Sequence, residues 1–261
     1  MNLTKLIKKN FIYAIAGTAL FLISCSENAT NPTIAHRGAW KKQQLPENSI
    51  ASLKHAINLG CYGSEFDVHL TKDNIMVVNH DKDFQGLDIE TSTYKELLSK
   101  SLSNGEKIPT LKAYLEEGLK QHKTKLILEI KTAPSGKQRT LKLTKMAVDM
   151  VHELNGSEMV EYICFDYDAG KLVHQLDANA PVAYLKGDIA PNKAKLDGYT
   201  GIDYNINVFR EHPEWVKEAH DEKMTVNVWT VNNAEDMKEM LKLEADFITT
   251  DAPEKLMGIT Q

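Results

Sequence analysis

Apolar and polar residues repeat along this chain with two different periods, and the switches between them mark out strands and helices. Glu65, Asp67 and His69 alternate with Phe66, Val68 and Leu70, the pattern of a strand with one polar and one apolar face. Thr71-Lys72-Asp73-Asn74 then turns the chain, and residues 75–78 return as a second strand. A link this short permits only antiparallel pairing. Counting outward from the turn puts His80 beside Glu65, so two carboxylates and an imidazole meet at the base of one hairpin.

Other strands are expected at 33–35, 125–130, 162–165, 182–185, 201–205, 224–231 and 246–249. Helices are expected at 48–59, 111–121, 138–154, 169–176, 214–222 and 233–243, with a weaker piece at 192–195. The helix at 48–59 is entered after Pro46 and stopped by Gly60, and Pro109-Thr110 starts the next. Residues 82–107 read as a looser insert after the hairpin, with one short helical stretch at 94–98. Strands alternating with helices over short links argue an α/β fold with a parallel sheet, and this many units favour a TIM (β/α)8 barrel over an open sheet. No internal repeat is visible.

In a barrel the carboxyl ends of the strands form the face that carries active sites. Polar residues collect at those ends: His36 and Arg37, Glu65 and Asp67, Glu129 and Lys131, Asp166, Asn207, Trp229 and Asp251. Oxygen ligands suit a hard cation such as Ca²⁺ or Mg²⁺, and an imidazole side chain suits proton transfer. The plainer alternative for the hairpin is a polar edge with solvated acids. His69, farther up the hairpin, is expected at an exposed rim, and Trp229 either walls a substrate pocket or fills the barrel core.

The start of the chain has a different character. Lys5, Lys8 and Lys9 precede an apolar run at 11–23, too short to span a bilayer comfortably, and Leu22-Ile23-Ser24-Cys25 resembles a bacterial lipobox. The expected organisation is a lipoprotein signal peptide at 1–24, a polar tether at 25–31 and the barrel at 32–261. Cys25 would be the lipidated first residue, anchoring the protein to a membrane of the cell envelope, periplasmic or surface-exposed; a plain secreted protein is the alternative. The 261-residue chain has 31 basic and 36 acidic residues; loss of the first 24 removes three lysines and no acid, leaving a formal −8. No basic stripe is present, which disfavours nucleic acid as a partner. Cys61 and Cys164 have apolar surroundings and are expected as buried free thiols, although an exported location permits a disulfide.

His36-Arg37-Gly38, Pro46-Glu47-Asn48-Ser49, Glu65-Phe66-Asp67-Val68, Thr71-Lys72-Asp73, Val78-Asn79-His80-Asp81 and Leu128-Glu129-Ile130-Lys131 resemble, in order and spacing, motifs of the glycerophosphodiester phosphodiesterase family. The resemblance runs from about residue 33 to 256 and includes Val228-Trp229-Thr230-Val231-Asn232 and the segment 246–251. It implies a distorted TIM barrel with a small insert after the first hairpin, hydrolysing glycerophosphodiesters to glycerol 3-phosphate and an alcohol with a divalent metal, Ca²⁺ or Mg²⁺. By position, Glu65, Asp67 and Glu129 would be metal ligands, His36 and His80 the acid/base pair, and Arg37 and Lys131 would hold phosphate. Glu47 would be a ligand or would orient Arg37 at the substrate, and Trp229 would meet the substrate. The chain departs from the family at 82–88, where a basic, Gly-Thr-rich stretch is usual, which bears on the alcohol accepted. Cys164 stands where serine is common.

The chemistry of the residues agrees. A phosphodiester gathers charge on its non-bridging oxygens in the transition state, and fixed positive charge stabilises it. Arg37 offers a fork and Lys131 a point charge. No Ser, Cys or Thr nucleophile is well placed, so a neighbouring hydroxyl of the substrate is the expected attacker, giving a cyclic phosphate that water opens. A catalytically dead binding lipoprotein would be free to lose one of these groups. A glycosidase would set two carboxylates across a sugar, with no Arg or Lys.

Overall fold

Strand and helix alternate from the start of the described chain. The computed structural model describes residues 31–260; the expected signal peptide and Cys25 lie outside them. The elements are β1 (Thr33–Ala35), α1 (Ile50–Leu59), β2 (Gly63–Leu70), β3 (Met76–Val78), β4 (Asp83–Phe84), β5 (Leu87–Asp88), α2 (Tyr94–Leu97), α3 (Leu111–Gly118), β6 (Lys125–Ile130), α4 (Lys137–Glu153) and β7 (Val160–Cys164). There follow α5 (Tyr167–Leu176), β8 (Val182–Tyr184), α6 (Pro191–Leu196), β9 (Gly201–Asn205), α7 (Ile206–Glu211), α8 (Glu214–Asp221), β10 (Thr225–Trp229), α9 (Ala234–Lys242), β11 (Phe247–Thr250) and α10 (Pro253–Thr260).

Strands run in the order β1-β11-β10-β9-β8-β7-β6-β2, and β2 pairs back onto β1 through Ile34↔Gly63 and Ala35↔Ser64. Every one of these pairings is parallel, so the sheet closes into the expected TIM barrel. Its first strand is short: β1 stops at Ala35 while β2 continues to Leu70. The upper edge of β2 would be left unpaired, and β3 covers it antiparallel, with Val68↔Val78, His69↔Val77 and Leu70↔Met76.

That register lies one residue from the counted one. The loop runs from Thr71 to Ile75, closed by Thr71 N donating to Ile75 O at 3.0 Å and by Ile75 N donating to Thr71 Oγ1 at 2.9 Å, with Asn74 at φ 61°. The ladder ends after Val78, and His80 reaches the barrel mouth, which Glu65 also lines, from beyond the last pair.

Side chains of the strands divide between two cores. Outward residues of β2, Phe66, Val68 and Leu70, pack with Leu53, Tyr114 and Leu115 of the surrounding helices; the Phe66 and Tyr114 rings lie 4.4 Å apart. Inside the barrel Ile34, Ile127, Ile163 and Leu185 fill the space below the mouth. The insert has its own small core of Val77, Phe84, Ile89, Leu97 and Ile108, better ordered than the sequence suggested. Its two-residue strands β4 and β5 are too short to show a period.

Local signals set where α1 begins and ends. Ser49 caps it in a box with Ser52, Gly60 ends it at φ 76°, and Asn48 sits before it at φ 54°. Gly38 is required where it stands: its φ is 80°, and a Cβ there would lie 2.7 Å from the Ser52 carbonyl carbon, so the loop after β1 rests directly on α1. Two helices, α7 and α10, have no counterpart in the sequence reading. Asn207, expected at a strand end, lies exposed on α7 because the Asn205 side chain caps that helix. Asp166 caps α5 in the same way. Cys61 and Cys164 are free and buried, and burial pushes both thiols up to about 12. Among the described residues no helix is long and apolar enough to cross a membrane.

Candidate active site

A cavity opens at the carboxyl ends of the strands, lined by His36, Arg37, Glu65, His80, Glu129, Lys131 and Asp203 on its polar side and by Ile163, Phe165, Leu185 and Trp229 on its apolar side. Asp67 and Glu129 face each other across the β2–β6 ladder, and Glu65 lies two residues earlier on the same side of β2. One oxygen from each of the three carboxylates falls within 4.8 Å of the others, and all three are buried. The plainer reading of the hairpin, with its acids in solvent, is therefore excluded.

The acids are held from several directions. Asn48 grips Asp67 twice, Nδ2 donating to Oδ2 at 2.8 Å and Oδ1 accepting from the Asp67 amide at 3.1 Å. Lys131 Nζ lies 3.1 Å from Asp67 Oδ1 and 2.8 Å from Glu129 Oε1. Glu65 Oε2 accepts from the Arg37 amide at 2.8 Å, while its Oε1 is buried with no hydrogen-bond partner among the described residues. Arg37 itself is in the left-handed region at φ 57°, a conformation that costs of order 1–3 kcal/mol and needs its surroundings to hold it. Here Asn48 N donates to the Arg37 carbonyl at 3.0 Å and Ser52 Oγ at 3.1 Å.

This cluster is short of positive charge. Burial, and then Asp67 beside it, pushes the Glu65 carboxyl well above its usual range. Burial and the same neighbour push Glu129 up to about 7. Asp67 is also desolvated, but Lys131 and then His80 hold it below the usual value. Three oxygen donors, an orphaned Glu65 oxygen and an unneutralised pair of acids fit a hard divalent cation.

Glu47 stands outside this group. Its Oε1 accepts from Arg37 Nη1 at 2.9 Å, so of the two roles expected for it the geometry supports the orientation of Arg37. Trp229 walls the cavity, its indole N–H donating to the Asp203 carbonyl at 2.8 Å and its ring meeting Phe165 edge-on at 5.7 Å.

The two histidines approach from opposite sides of the closure. His36 Nδ1 is 2.7 Å from Asp251 Oδ1, and Asn232 Nδ2 donates to Asp251 Oδ2 at 2.9 Å. With Nδ1–H committed to the carboxylate, Nε2 is left as the basic atom. His80 Nδ1 pairs with Asp81 Oδ1 at 2.8 Å, and the His80 carbonyl accepts from His69 Nε2 at 3.0 Å. His69 is not an exposed rim residue: it is 7 % exposed, because the insert and the segment after β6 close over the top of β2. Burial lowers its pKa and leaves it a neutral donor.

Asn48, Asp203, Asn232 and Phe165 were given no role by the sequence. Asn48 and Asn232 lie inside the motifs 46–49 and 228–232, and Asp203 repeats the hairpin's own signal, an acid within an apolar strand.

A barrel that brings buried carboxylates, two histidines, an arginine and a lysine to one mouth defines a TIM-barrel hydrolase of phosphodiesters. A model of the glycerophosphoryl diester phosphodiesterase family matches residues 36–255. The chain belongs to that family and is an enzyme of its class, a phosphoric diester hydrolase acting on glycerophosphodiesters. A glycerophosphodiester phosphodiesterase from Caldanaerobacter subterraneus is 29% identical over 249 residues, covering 87% of this chain and 97% of the relative. A crystal structure of one from Parabacteroides distasonis is 44% identical, with a TM-score of 0.86 over 88% of this chain and 96% of the other. The barrel also matches, at 23% identity and a TM-score of 0.76 over 87% of this chain and 95% of the other, a phosphodiesterase from Oleispira antarctica in complex with the product sn-glycerol-3-phosphate.

Proposed function

We propose that this chain cleaves glycerophosphodiesters to glycerol 3-phosphate and an alcohol by paired histidine catalysis at a divalent-cation site. The observation that carries the reading is that His36, His80, Arg37 and Lys131 line one cavity with the carboxylates Glu65 and Glu129. The product held by the Oleispira relative supports glycerol 3-phosphate as the released half.

Glu65, Asp67 and Glu129 would hold the cation, and both Ca²⁺ and Mg²⁺ suit an all-oxygen set. Bound there, it supplies fixed positive charge for the non-bridging oxygens of the phosphate. Arg37, braced by Glu47, presents a fork to two oxygens, and Lys131 adds a point charge. One histidine takes the proton of the substrate hydroxyl next to the phosphate as that oxygen bonds to phosphorus. The other gives a proton to the leaving alcohol as its P–O bond breaks. Water then opens the cyclic phosphate with the two roles reversed. Phe165 and Trp229 at the rim offer an apolar surface to the departing alcohol.

The address of the protein belongs to the same reading. Lipidated at Cys25, the chain would join its anchor to the barrel at the amino-terminal end of β1, the end opposite the mouth. The test is a panel of glycerophosphodiesters with choline, ethanolamine and glycerol head groups, with enzymatic detection of glycerol 3-phosphate, before and after chelation. Release from at least one member, lost on chelation and restored by Ca²⁺ or Mg²⁺, is expected. Silence across the panel in the metal-loaded protein counts against it.

A further inference from the structure

Asp203 lies at the floor of the cavity, and nothing in the chemistry above uses it. The residue is 1% exposed, yet it lines the cavity, and its Oδ1 has no hydrogen-bond partner among the described residues. Barrel interiors are ordinarily packed with branched apolar side chains, as Ile34, Ile127, Ile163 and Leu185 do on one side here. The opposite arc is polar. Asp203 pairs in register with Asn227, whose Nδ2 donates to Thr249 Oγ1 at 2.8 Å, and Thr249 reaches the same cavity.

A buried carboxyl with an unmet hydrogen-bonding atom costs stability that an apolar residue of similar size would not. Its chemistry is also distinct from that of the mouth. Burial pushes the Asp203 carboxyl up to about 8, so near neutral pH it keeps its proton and both donates and accepts. Such a group suits an uncharged hydroxyl better than a phosphate or a cationic head group. The phosphate has Arg37 and Lys131 above it, and the apolar rim of Phe165 and Trp229 suits the alcohol half.

We propose that Asp203 is a specificity-determining residue, hydrogen-bonding the terminal hydroxyl of the substrate's glycerol half at the floor of the cavity. The inference rests on the reaction proposed above, because it needs the glycerol half to be the one held below the phosphate. It assigns Asp203 to the hydroxyl that the cyclic route does not consume. Selectivity for glycerol over a diol without the terminal hydroxyl then comes from an atom that is left unpaired when that hydroxyl is missing.

The discriminating pair is sn-glycerol 3-phosphate and propane-1,2-diol phosphate, which keeps the hydroxyl next to the phosphate and lacks only the terminal one. Calorimetric binding to the metal-loaded protein should favour the glycerol compound by about 10- to 100-fold. The ratio should fall close to one in Asp203→Leu, by loss of glycerol 3-phosphate affinity alone, and part of it should survive in the near-isosteric Asp203→Asn. The corresponding methyl diesters should show the same change in the ratio of their KM values. Equal affinities in the wild type, or a ratio unchanged in both variants, overturns the assignment, and so does a loss of affinity for both ligands alike, which marks a structural role. The binding ratio needs no turnover. A protein that binds selectively and hydrolyses neither diester therefore speaks against the reaction and not against Asp203.

Discussion

His36 Nδ1 lies 2.7 Å from Asp251 Oδ1, and the two residues immediately follow β1 and β11, the first and last strands of the barrel, paired in register at Ala35↔Thr250. Closure of the barrel therefore builds the dyad: the imidazole is aimed by a carboxylate that is nowhere near it in sequence. Asn232 fixes that carboxylate from the other side, and Asp251 N donates to Asn232 Oδ1 at 2.8 Å. Asp251→Asn should keep the fold and lower kcat by roughly 10- to 100-fold, short of the 10² to 10⁴ expected for His36→Ala. Steady-state kinetics on the purified variants decide it. An unchanged kcat in Asp251→Asn would show that His36 does not depend on its partner for orientation.

The three carboxylates make a second prediction. Removing one ligand leaves the other two as buried acids without their shared cation, so Glu65→Ala should lose at least roughly 100-fold in divalent-metal affinity and most turnover. Calorimetric titration with Ca²⁺ and Mg²⁺ measures the first directly. Unchanged affinity in a folded Glu65→Ala protein removes Glu65 from the site.

How far this site was legible depends on the range of the contacts that make it. Glu65, Asp67 and His80 stood out because a two-residue period with acids on one face is visible within one hairpin. The parallel barrel followed from the alternation of strand and helix. Asn48 holds Asp67 through a contact 19 positions away, and Asp251 aims His36 across 215, and no local pattern reports such a pairing. His69 is buried instead of exposed for a related reason: the segments that fold over β2 come from elsewhere in the chain. The register of β3 turned on one loop residue, which counting alone does not resolve. Asp203 is visible as an acid in the strand Gly201–Asn205, but no motif surrounds it to mark it as functional.

Asp203 gives the stability of the protein a pH dependence with a definite sign. Burial is the main cause of its raised pKa of about 8, Glu129 adds to it, and the Asn227 amide beside it pulls the other way. Between the ordinary carboxylate pKa of about 4 and this value the folded chain holds a proton that the unfolded chain has released, so stability falls as pH rises through that window. Asp203→Asn removes this one contribution and should flatten the slope. Urea unfolding at pH 6 and pH 8.5 tests it: the variant should gain stability relative to wild type at the higher pH. A constant difference between the two proteins rules out titration of Asp203 in this range.

The address is tested by one substitution. A lipidated Cys25 would carry acyl chains sufficient for firm membrane attachment, so Cys25→Ala should move the protein to the soluble fraction. The soluble protein should keep its activity on soluble diesters, since the mouth opens at the far end of the barrel from residue 31. If Cys25→Ala still sediments with membranes, the lipoprotein reading is wrong.

The route through a cyclic phosphate is the sharpest question the site poses. Two histidines line the cavity, and both cysteines of the described chain are buried with thiols pushed up to about 12, so no side-chain nucleophile of that kind is at hand. The substrate's own hydroxyl is held next to phosphorus at high effective molarity, and the free Nε2 of His36 is suited to take its proton or to protonate the leaving group. A diester whose glycerol lacks the hydroxyl adjacent to the phosphate has no internal attacker. It should bind with little change, because Arg37 and Lys131 still meet the phosphate and Asp203 the terminal hydroxyl, yet be cleaved slower by roughly 10² or more. Rapid quenching of the wild-type reaction should also trap glycerol 1,2-cyclic phosphate on the way to product, at levels raised in whichever of His36→Ala and His80→Ala is impaired in ring opening. If the deoxy diester binds normally and is hydrolysed as fast as the glycerol diester, water attacks phosphorus directly, and the two histidines serve that water and the leaving alcohol instead.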